Sequence, residues 1–169
     1  MNSPEISYQR HVQDMYGITE ATIPEVEPEA LKGMTEHLRA VVNPLRMQRR
    51  WKKEVGIWKG RLHQLEDVRL GPRYSGMVRP GQSVQREAVR KIPQAERALR
   101  EAERNYEHWT RESEPVDGQV LEAVEPLAEA LGLENNLDIG TPENPDLENI
   151  GKLLMTAHRV MLYKTNGRP

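Results

Sequence analysis

The chain contains no cysteine and no phenylalanine. The first absence excludes disulfide scaffolds and thiolate metal sites, and it fits a reducing compartment. The second leaves an aromatic share of only 5%. Leu, Ile and Val supply 36 of the 169 residues, just above the roughly 20% below which disorder becomes the default. Such a chain folds around a thin core, with too little Val, Ile and aromatic content for a large β-sandwich or a doubly wound α/β domain. Long apolar runs are missing too: none approaches the ~20 residues of a membrane span. Residues 1–11 lack the apolar centre of a secretory signal. These absences lead to the expectation of a soluble, non-secreted protein with no membrane partner, working in the cytoplasm or inside a particle such as a virion.

A further scarcity is local. The formal net charge is only −2, yet residues 113–151 hold ten acidic groups and no Lys or Arg. Residues 46–80 hold ten basic and three acidic groups, a net +7. Residues 1–45 are net −4, 81–112 net +1 and 152–169 net +4. Blocks of opposite sign favour contact between one block and another, within a chain or between copies.

What the sequence does have is helical periodicity. Ser3, Pro4 and Glu5 read as cap, first helical proline and first-turn acid of a short helix over 4–16, followed by a linker over 17–27. Leu31, Met34, Leu38, Val41 and Leu45 keep heptad spacing, and so do Trp51, Val55, Trp58, Leu62 and Leu65. The two stripes are out of phase, with Pro44 at the break, which predicts a kink or short turn over 43–47. Three Gly and two Pro make 70–83 a loop. Ala88, Ile92, Ala95, Leu99, Ala102, Tyr106 and Trp109 form the next stripe. Pro93 opposes a helix already running at 92 and suits the first position of one that starts there. Asp117 is the expected cap of a segment carrying Val120, Val124, Leu127 and Leu131, closed by Gly132, with Pro126 a local irregularity. After a loop over 132–144, Asn144 is the expected cap and Pro145 the first residue of a last helix. Its broad apolar stripe, Leu147 to Met161, needs a partner, and a second subunit could supply one. No alternating strand pattern and no internal repeat occur.

These elements predict an all-α protein: a long antiparallel helical hairpin, coiled-coil-like, with short accessory helices at both ends. The regions are 1–27 (short helix and linker), 28–112 (hairpin, its arms 46–69 and 84–112) and 113–169 (acidic segment and C-terminal helix). Placing Trp51 and Ala95 at heptad position d puts Lys52, Lys59, Glu96 and Glu103 at e. Antiparallel helices oppose e with e, so Lys59–Glu96 and Lys52–Glu103 are the expected pairs. Large Trp side chains then meet small Ala, the way facing layers interdigitate.

Catalytic signatures are missing as well. The five histidines are scattered, none is preceded at three residues by Glu, and His63-x-x-Glu66 is a single same-face pair rather than a ligand set. Phosphate-cradling Gly-rich loops and nucleophile-elbow serines do not occur. The expectation is therefore a protein that is not an enzyme and has no metal and no cofactor. Candidate contact residues are Arg46, Arg49, Arg50, Lys53 and Arg61 on a basic helix face, and Arg69, Arg73, Tyr74 and Arg79 at the hairpin tip. Read together, they suggest a structural or adaptor subunit of a larger assembly, oligomeric in its working state. It would meet neighbouring protein subunits, as in a virion or connector-type particle, through block charge and apolar helix stripes. The alternative is a nucleic-acid-binding accessory protein using the basic face 46–61.

Overall fold

The computed structural model describes residues 24–71, 81–116, 118–133 and 137–166. Among them the protein is all-helical: α1 (Pro28–Leu70), α2 (Gln82–Ser113), a 3-10 turn (Glu114–Val116), α3 (Gln119–Ala130) and α4 (Leu147–Asn166). The sole extended feature among these residues is an isolated antiparallel bridge between Gly140 and Pro145. The expected helix over 4–16 and most of its linker lie outside the described residues, as do Asp117 and most of the 70–83 loop.

Helix α1 opens with Pro28 in its first turn and Glu29 beside it. A missing N–H is harmless there, and an acid suits the positive end of the helix. The helix then runs through Pro44 without interruption, so the short turn expected over 43–47 does not form. Pro93 and Pro126 likewise lie inside α2 and α3. A helical proline frees the carbonyl four residues earlier. For these three the freed carbonyls belong to Ala40, Val89 and Glu122, all exposed residues, where water can satisfy them.

The chain forms two compact units, dividing at Asn43/Pro44 and again at Glu114/Pro115. Of the two out-of-phase stripes of α1, the first lies in one unit except for Leu45, and the second, Trp51 to Leu65, lies in the other.

The first unit contains the start of α1 together with α3 and α4. Leu31, Leu38, Val42, Val120, Val124, Leu127, Ile150, Leu153 and Val160 have at most 1% of their surface exposed. Helix α3 packs against α4. The broad stripe of α4 is covered by its own chain, since Ile150, Leu153, Leu154, Ala157 and Val160 are all buried, and it needs no second subunit. Two buried hydroxyls are satisfied locally: Thr35 donates to the Leu31 carbonyl (2.7 Å) and Thr156 to that of Lys152 (2.9 Å).

The starts of α3 and α4 differ from expectation. Gly118, at φ 81°, is the N-cap of α3. Its end closes as expected at Gly132 (φ 67°), where the Gly132 N–H donates to the Glu129 carbonyl and the Leu133 N–H to that of Ala128. That pair of bonds, with Leu133 buried, is a Schellman closure. The cap of α4 is Asp146, not Asn144: its Oδ1 accepts from the backbone N–H groups of Glu148 and Asn149, both at 3.0 Å. Pro145 is diverted into the bridge with Gly140, so the chain enters the helix two residues later than the proline signal suggests. Gly140 (φ +79°) is irreplaceable in that turn, because an added Cβ would lie 2.5 Å from the Asn144 carbonyl oxygen.

The second unit contains the remainder of α1 and α2. Ala88, Ala95, Ala102 and Ser113 are the buried residues of α2. Ile92, Leu99, Tyr106 and Trp109 are half-buried, and so are Trp51, Val55, Trp58, Leu62 and Leu65. Every member of both predicted stripes is thus turned away from open solvent. Gln48 donates to the Thr110 hydroxyl (3.3 Å), and Lys59 pairs with Glu103 (3.4 Å). The partners run in opposite order along the chain.

Candidate interaction surfaces

The basic face belongs to the second unit. Arg46, Arg49, Arg50, Lys53 and Arg61 are all exposed on α1, and Arg69 is exposed in its last turn. Arg73, Tyr74 and Arg79 lie outside the described residues. Helical spacing sorts the rest: Arg46, Arg50, Lys53 and Ile57 step by four, three and four and share one stripe. That stripe lies away from the half-buried Trp51, Val55 and Trp58. Ile57 is 44% exposed, a large apolar side chain next to Gly56 and one turn before Gly60.

Two of the cations lean on the tryptophans. The Arg50 guanidinium is 5.9 Å from the Trp51 ring centroid and that of Arg61 is 5.0 Å from Trp58. Contacts of this kind contribute about 0.5–1 kcal/mol at exposed sites. The Trp51 indole nitrogen is buried with no hydrogen-bond partner, so the ring is held by packing and by Arg50. All three tryptophans of the chain, Trp51, Trp58 and Trp109, belong to this unit.

The expected ion pairs are corrected. Lys59 meets Glu103 rather than Glu96, and the Lys52–Glu103 pair is displaced. Both partners are long and largely exposed, so choosing an acid one heptad further along costs little. The same-face partner of His63 is Asp67 (3.3 Å), not Glu66. Lys91 pairs with Glu87 at 2.6 Å. That hydrogen bond, and then the charge of Lys91, holds the Glu87 carboxyl below the usual carboxylate range.

Each unit carries one cleft of note. In the second, about 560 Å³ opens beside Trp58, Leu65, Val68 and Ala95, with Arg61 and Lys91 at its rim. In the first, about 400 Å³ lies between α3 and the loop before α4. Its floor is Leu121, Val124, Ala128, Leu137 and Ile139, and Glu122 and Glu125 edge it. The acidic block is therefore built into structure: its apolar residues enter the core, while Glu122, Glu125 and Glu129 stand exposed on one face of α3. The three-and-four spacing of its glutamates is the signal that could have singled out the face.

Among the described residues, no group of three or more His, Asp or Glu is placed to hold a metal ion, and no helix is long and apolar enough to cross a membrane. Compared with protein-family models, with curated proteins and with solved structures, the chain matches none.

Proposed function

We propose that the protein is a non-enzymatic structural or adaptor subunit of a multi-subunit assembly, of the virion or connector type or another intracellular particle. In this reading 44–114 is an antiparallel helical hairpin, coiled-coil-like, and its outer face is the contact surface. The single observation that carries the proposal is the stripe Arg46, Arg50, Lys53 and Ile57. Its cations are exposed on the side of α1 away from the half-buried Trp stripe, Arg50 also lying over the Trp51 ring. Exposed cations beside an exposed apolar knob are the composition of a surface that steers a partner by charge and holds it by burial.

The same stripe supports a second reading, contact with nucleic-acid phosphates. About three neutralised phosphates would give a log-affinity against log-salt slope near −3. Sedimentation velocity of the purified chain, alone and with an oligonucleotide, at low and high salt, separates the two. Concentration-dependent, salt-sensitive association of the protein alone is the result expected. A chain that stays monomeric to about 100 μM and binds the oligonucleotide with that slope overturns the adaptor reading.

A further inference from the structure

We infer that the partner of the basic stripe is a second copy of this chain, met through the acidic face of its α3. The inference rests on the adaptor reading and names the occupant that reading leaves open. The two surfaces match in spacing as well as in sign. Along α1, Arg46, Arg50 and Lys53 step by four and then three. Along α3, Glu122, Glu125 and Glu129 step by three and then four, and all three are exposed. Laid antiparallel, one register brings Arg46 to Glu129, Arg50 to Glu125 and Lys53 to Glu122 together. In that register Ile57, one turn beyond Lys53, falls opposite Gly118 at the start of α3, one turn from Leu121, which lines the apolar cleft of about 400 Å³ with Leu137 and Ile139. Gly60, the next position on the stripe, has nothing within 4 Å of where a Cβ would stand, so the second helix can approach closely there.

Charge complementarity decides for a second copy over a phosphate polymer. The stripe is short and the chain is net negative, so a polyanion is repelled by the rest of the molecule. A second copy instead brings ten acidic groups without a base in 113–151. The surfaces differ, one basic, the other acidic and grooved, and each copy has both, so the contact closes reciprocally about a two-fold axis or propagates head to tail into a ring or a filament.

The geometry sets a mixing experiment. The Arg50→Glu/Lys53→Glu variant lacks the ridge, and the Glu122→Lys/Glu125→Lys variant lacks the acidic edge. All four positions are exposed, and circular dichroism checks that both variants fold. In analytical ultracentrifugation at low salt, wild type self-associates and each variant alone is monomeric. Their equimolar mixture associates again, because the intact ridge meets the intact groove and the reversed ridge meets the reversed groove. A chain carrying all four substitutions recovers self-association. Wild-type self-association that survives in both variants overturns this contact while leaving the adaptor reading standing. A monomeric wild type overturns it as well; if only the ridge variant then loses oligonucleotide binding, the adaptor reading falls too.

Discussion

The two units solve the same problem with different means. In the first, Leu, Ile and Val from three helices close around one another, and their largest side chains are essentially inaccessible. In the second, the residues of α2 that are buried are alanines and a serine, while the tryptophans and most of the leucines of the unit stay partly wet. A third helix makes the difference. Two cylinders cover only a strip of each other, so a large side chain at the seam keeps one flank in water. Composition follows: the acidic but leucine-rich C-terminal part carries the core, and the alanine and charge-rich middle carries surface.

That contrast can be broken by experiment. Leu153 has 0% of its surface exposed, so Leu153→Ala removes fully buried volume and should destabilise by about 2–5 kcal/mol, read as a lowered denaturant midpoint. Leu99 is half-buried in the second unit. Leu99→Ala should cost roughly 1–1.5 kcal/mol, half of what full burial supplies. Equal losses for the two would erase the distinction between core and seam. A smaller effect sharpens the local picture: Asp146→Ala removes the acceptor for two backbone N–H groups of α4 and should cost about 1 kcal/mol, while Asn144→Ala leaves that cap intact.

The smallest effect belongs to the second unit. Because Glu87 is held below the usual range by its hydrogen bond to Lys91 and then by that charge, it favours the folded state above its unfolded-state value. That contribution is lost as pH falls through the depressed folded value. A carbon-detected NMR titration should show Glu87 protonating below its unfolded-state value, and Lys91→Met should raise it. A Glu87 that titrates at its unfolded-state value in the wild type removes the pair.

Periodicity made much of this fold legible. The seven residues from Ala88 to Trp109 at alternating spacings of four and three are all buried or half-buried, because spacing is a property of the helix and survives ignorance of its partner. What stayed illegible depended on context. Pro44 reads as a breaker because the sequence does not show that Ala40, whose carbonyl it frees, is exposed. Asn144–Pro145 reads as a helix start because nothing local announces the bridge with Gly140. Lys59 could choose between Glu96 and Glu103, and a flexible side chain settles that choice by fractions of a kcal/mol. Of the candidate surface, the basic residues were legible as charge. Their three-and-four ordering up to Ile57 lay within the expected helical arm 46–69, but the exposure of that stripe depended on packing, and the matching glutamates needed the apolar side of α3 fixed inside the core.

The confinement of every tryptophan to 44–114 gives the molecule a built-in optical label. Indole emission watches the seam, whereas helical ellipticity sums over both units. A denaturation followed by both signals therefore reports, without any added dye, whether the thin unit melts at its own midpoint or waits for the thicker one. Superposable curves would mean that the helix threading both has made them one cooperative body.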